Sequence, residues 1–143
     1  MATILLVEDA PDIGTYEAKI LEAEGHHVVR CSGAPSPLAA CPMMRYGHCP
    51  LPDTADLIVF SCSLLMPVSH RTYRGSELLR AYREHKRYGR LPMLVVWTGV
   101  PPDAGGTGPI KLIEKFSPPR KVIDSVHALI DTQDRLAVGG GRR

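Results

Sequence analysis

Three apolar runs lack a helical period and read as strands buried on both faces of a parallel sheet: Thr3 to Val7, Leu57 to Phe60, and Leu91 to Thr98. Two shorter runs, His26 to Cys31 and Ile110 to Lys115, supply the second and fifth strands in chain order. Between them the period changes. Ile13, Tyr16, Ile20 and Leu21 recur at helical spacing with Glu17, Lys19, Glu22 and Glu24 between them, after Pro11 in the first turn and before a closing Gly25. Gly75 to Arg87 predicts an amphipathic helix with Leu78, Leu79 and Tyr82 inward. Val122, Ile123, Val126, Leu129 and Ile130 trace one face of a last helix after Pro118-Pro119. Strands alternating with helices imply a doubly wound, five-stranded parallel α/β sheet, with its site beyond the carboxyl ends of the strands.

The pattern weakens in two places. Five prolines between Ser32 and Asp56 leave a short helix around Leu38 to Tyr46 and a loop to the middle strand. Gly99 to Pro109 holds three more prolines and four glycines, too many for a full helix. Its Gly105-Gly106-Thr107-Gly108 lacks the lysine-serine pair and the context of a phosphate loop. The expected organisation is one domain over residues 1–131, then a flexible tail or linker over 132–143 that leaves room for a partner domain in a longer parent protein.

Composition narrows the class. At 143 residues with a formal charge of +2, the chain can bury a core and is no general polyanion binder. Seven basic residues lie between Arg71 and Arg90, opposed only by Glu77 and Glu84. Without an aromatic pattern they read as a solvated helix face, and nucleic acid is not the expected partner. The N-terminus reaches Glu8-Asp9 too soon for a signal peptide, and no apolar stretch approaches a membrane span, so a cytoplasmic protein is expected. Cys31, Cys41, Cys49 and Cys62 form no C-x-x-C pair and read as free thiols. Cys41, His48 and Cys49 are the one grouping close enough in sequence to suggest a metal.

The chemistry gathers at strand ends. The first strand ends in Glu8-Asp9, the fourth in Thr98 and the fifth in Lys115, while the middle strand ends in Ser61-Cys62-Ser63. Adjacent carboxylates at the end of a core strand need water, a cation or a basic side chain to face.

With these motifs in this order the chain resembles the receiver domains of two-component response regulators, the CheY-like family. The resemblance rests on Ile4-Leu5-Leu6-Val7-Glu8-Asp9, Leu64-Leu65-Met66-Pro67, Gly75-x-Glu77-Leu78-Leu79-Arg80, Leu91-Pro92 leading to Thr98, and Glu114-Lys115, and spans about residues 3 to 130. It implies a flavodoxin-like sheet of order 2-1-3-4-5. It also implies a pocket in which Glu8 and Asp9 match the acidic pair that holds Mg²⁺, Thr98 the switch hydroxyl and Lys115 the lysine that engages a phosphoryl group.

The acceptor aspartate is missing. Counting back from Pro67 puts Ser63 in its place, and counting forward from Asp56 puts Ser61 there. A serine hydroxyl needs an activating base where a carboxylate does not. One negative charge fewer at about 4 Å is worth roughly 4 kcal/mol at an effective dielectric of about 20, so Mg²⁺ affinity should fall. Lys115 is then expected to pair with Glu8 or Asp9 and close the pocket without metal. Leu112 replaces the usual aromatic switch residue, Phe116 replaces the proline after the lysine, and the fourth helix should be shortened or missing.

The resulting expectation is an atypical, phosphorylation-independent receiver. It is not an enzyme, has no required cofactor, and acts through a protein partner such as an effector or sensor, with a homodimer compatible. One alternative keeps weak Mg²⁺ binding at Glu8 and Asp9 or a modified serine. Another is a small-ligand sensor that uses the vacated acidic pocket, lined by Cys62, Trp97 and residues 99–109. An unrelated flavodoxin-like enzyme would need a cofactor loop or nucleophile-base pair that the sequence does not supply.

Overall fold

The computed structural model describes residues 1–8, 10–31, 42–61, 75–98 and 105–141. Five parallel strands, β1 (Thr3–Val7), β2 (His27–Cys31), β3 (Leu57–Phe60), β4 (Met93–Trp97) and β5 (Ile110–Glu114), form one sheet in the order β2-β1-β3-β4-β5. The expected topology is the observed one. Side chains alternate across the pleat and bury both faces. Leu5, Val7, Ile58, Phe60, Met93 and Val95 pack with Leu78, Leu79 and Tyr82 of α3 (Gly75–Glu84). Ile4, Leu6, Leu57, Val59, Leu94 and Val96 face the other layer, α1 (Pro11–Ala23) and α4 (Pro119–Gly141).

Helix α1 is rotated from the face its hydrophobic spacing predicts. Gly14, Glu17, Ala18 and Leu21 are buried, while Tyr16 is 53% exposed. An ionisable residue thus holds an inward position, while the aromatic one at helical spacing turns outward. Gly14 allows the fit on the side of β2: a Cβ there would lie 2.5 Å from Arg30 Nη2, and the Arg30 guanidinium ties β2 to the first turn of α1 by donating to Thr15 Oγ1 and the Pro11 carbonyl.

The segment before β3 holds α2 (Pro42–Tyr46) and a one-turn 3₁₀ helix, Leu51–Thr54. The rest of the helix expected from Leu38, and Cys41 with it, lies outside the described residues. A polar knot ties this segment to the end of α3. The buried Tyr88 hydroxyl lies 2.6 Å from the Cys49 carbonyl, 2.8 Å from Asp53 Oδ1 and 3.0 Å from His48 Nδ1. Burial, with Asp53 beside it, pushes the phenol up to about 12. His85 stacks on its ring at 3.7 Å. No group of three metal-ligating side chains occurs among the described residues.

One expectation needs correction. Arg83 does not belong to the solvated basic face: it is 2% exposed, with Nε donating to the Gly105 carbonyl and Nη2 to that of Gly108. Residues 105–109 are therefore strapped to α3 and carry no helix, while 99–104, the rest of the stretch where a shortened or missing fourth helix is expected, lie outside the described residues. Helix α4 continues to Gly141, with no helix breaker before Gly139. At the opposite sheet end, His26 Nδ1 accepts from the Ala2 N–H, and its Nε2 lies 3.3 Å from His127 Nε2 on α4.

Candidate functional site

Register brings the site together. Val7 pairs with Phe60 and Trp97 with Glu114, so Glu8, Ser61 and Lys115 leave their strands at one edge of the sheet. Period-two alternation turns all three toward the α1–α4 layer, the side of Leu6, Val59 and Ile113. Glu17 on α1 meets them there. Ser61 Oγ, fully buried, donates to Glu17 Oε2 at 2.9 Å. Lys115 Nζ donates to the Ser61 carbonyl at 2.8 Å and to both Glu8 oxygens at 3.3 Å. Glu8 Oε1 also accepts from the Ala10 N–H at 3.0 Å. The Lys115–Glu8 side chains are only 9% and 1% exposed, so this is a buried ion pair with most of its valence filled.

Glu17 completes the electrostatics. Burial, then its hydrogen bond with Glu8 and the charge of Glu8, push its carboxyl from the ordinary 4.5 up to about 8, against the opposing pull of Ser61 and Lys115. At neutral pH Glu17 therefore holds its proton. The buried Glu17 Oε1 has no partner as an acceptor. A proton on that oxygen makes it a donor, with the Glu8 carboxylate as the adjacent acceptor. Glu8 and Lys115 then cancel in charge.

A divalent cation does not fit the described residues. Glu8 already faces Lys115 and an amide, Glu17 favours its proton, and Ser61 offers a hydroxyl engaged elsewhere. Asp53 and Asp56, the nearest aspartates in sequence, do not make up the deficit. Asp53 is held by Tyr88 and Arg87, and Asp56 accepts from the Thr3 N–H at the far end of the strands.

Of the residues singled out from sequence, the structure unites Glu8, Ser61 and Lys115. Asp9 and Ser63 lie outside the described residues. Thr98 is exposed just past β4, and no hydrogen bond among the described residues joins it to the cluster. Sequence reasoning missed Glu17, which was grouped with the solvent-facing charges. Its spacing from Gly14, Ala18 and Leu21 is the signal that places it inward.

Neither a family model nor a curated protein matches the sequence. Solved structures do. Chemotaxis protein CheY4 of Vibrio cholerae aligns over 90% of this chain and 98% of its own, with a TM-score of 0.61 and 21% identity. The signal receiver domain of a histidine kinase from Syntrophus aciditrophicus aligns over 92% of both chains, at TM-score 0.64 and 19% identity. The fold is the CheY-like receiver fold. NtrX from Brucella abortus, in complex with ATP, matches 99% of this chain with 30% of its own, at TM-score 0.68 and 22% identity. There the receiver fold is one part of a longer protein. In the present chain no helix among the described residues is long and apolar enough to cross a membrane.

Proposed function

We propose that this chain is a receiver-like regulatory domain of bacterial two-component signalling that has lost phosphoryl acceptance, and that it works in the cytoplasm through protein contacts rather than catalysis. The observation that carries this reading is the closed pocket: Lys115 bound to Glu8 and to the Ser61 carbonyl, with Ser61 Oγ donating to Glu17. A receiver needs an anionic nucleophile beside a cation site. Here the residue at the tip of the middle strand is a buried hydroxyl, and the carboxyl it touches already holds a proton at neutral pH. Of the two registers for the acceptor, this geometry supports the one counted forward from Asp56, which gives Ser61.

The output side of the fold agrees. Leu112 stands where an aromatic switch is usual and is 37% exposed, and Thr98 is outside the cluster. Such a domain would signal through its presence and surface. Titration with millimolar Mg²⁺, followed by calorimetry and by the fluorescence of Trp97, is expected to give no saturable response. Saturable binding lost in Glu8→Gln would overturn the reading.

A further inference from the structure

Between α1, the end of β5 and the start of α4 lies a cavity of about 300 Å³, at the lower end of the range for small-molecule sites. Ile13, Ile20, Val96 and Val122 form apolar walls, while Glu17 and Lys115 also line it. Two aromatic rings belong to the lining and are left in solvent: Tyr16 is 53% and Phe116 81% exposed. Phe116 is moreover held at φ 65°, a left-handed conformation unfavourable for a bulky residue. Strain that keeps a large apolar side chain exposed beside a cavity points to a use for that side chain.

Charge selects the occupant. Asp12 and Glu114 line the same cavity, are exposed, and form no ion pair among the described residues. Lys115 is already neutralised by Glu8. The unpaired charge in the lining is therefore negative, and two exposed aromatic side chains share that lining. We propose that this cavity binds a small organic cation with an aromatic or branched apolar body, of the arylalkylammonium class. The body fills the apolar walls, and the ammonium meets Asp12, Glu114 and the two rings. Trp97 is not among the cavity's lining residues, Cys62 lies outside the described residues, and the proposal does not depend on the receiver reading.

Amide NMR of the whole chain tests this with three probes of matched body: phenethylammonium, phenethyl alcohol and hydrocinnamate. The cation should shift the amides of residues 12–20 and 113–117 saturably, and the anion should bind more weakly by roughly tenfold or more. The alcohol should fall between them. Asp12→Asn with Glu114→Gln, both surface changes, should erase the preference while leaving alcohol binding intact. Ile20→Trp, if its spectrum remains dispersed, should abolish binding of all three. The proposal is overturned by absence of saturable shifts, by shifts mapping elsewhere, by equal affinity for the three probes, or by a preference that survives the double substitution.

Discussion

The Glu17 carboxyl sits on the inner face of α1 against Ser61 and Glu8, where ionisation would place a second negative charge beside a buried pair. Linkage turns this into a pH dependence. In the unfolded chain the group titrates near 4.5, and in the fold near 8. Its folded value is raised, so its contribution to stability is complete below pH 4.5 and is lost as pH rises through about 8. Chemical denaturation should show wild type losing on the order of 3 kcal/mol between about pH 5 and pH 9, with Glu17→Gln largely flat. A wild-type curve as flat as that of the variant would remove the buried proton from the account. Lys115 makes a complementary case. Lys115→Met strips the cation from a buried carboxylate and should cost about 3–5 kcal/mol, more than half of it recovered by adding Glu8→Gln. A loss below about 1 kcal/mol would mean the pair is no more than a surface contact.

Among the elements, α3 and the connection into β5 are joined by one guanidinium. Arg83 holds two carbonyls of the 105–108 turn, whose Thr107 and Gly108 amides bond to the Gly89 carbonyl. Arg83→Met should therefore speed hydrogen exchange at Thr107 and Gly108 by about tenfold or more, since each charged hydrogen bond is worth roughly 1.5–3 kcal/mol. Exchange unchanged at these amides would show that the turn holds itself. The link was not legible in the sequence, because the partners of Arg83 are backbone atoms over twenty residues away and a basic residue on a helix ordinarily faces water. The strands were legible, since runs such as Ile4 to Val7 and Met93 to Val96 are apolar at every position and are buried on both faces. His26 and His127 lock α4 to the start of β2. With Nδ1 accepting from Ala2, His26 has only Nε2 to donate toward His127, and a further proton sets N–H against N–H. Burial first, then His127, hold His26 below the usual 6.5. Its contribution is present above pH 6.5 and lost as pH falls through the lower folded value. The melting temperature of wild type should drop on acidification from neutrality more than that of His26→Asn.

Across the whole molecule, the two titrations act from opposite sides, so stability should peak between the low-pH loss at His26 and the high-pH loss at Glu17. The receiver fold supplies the frame, and Glu8, Ser61 and Lys115 come together at its strand ends while Thr98 stays outside the cluster. Ser61, Glu8 and Lys115 could be read from the sequence because strand ends converge by topology. Glu17 could not, because its type argues for the surface and only its position argues for the core. The consequence for function rests on that pocket being closed and metal-free. The most direct test is intact mass after incubation with Mg²⁺ and a small phosphodonor such as acetyl phosphate. The account predicts an unmodified chain, and a stoichiometric phosphoryl adduct mapping to Ser61 or its neighbours would contradict it.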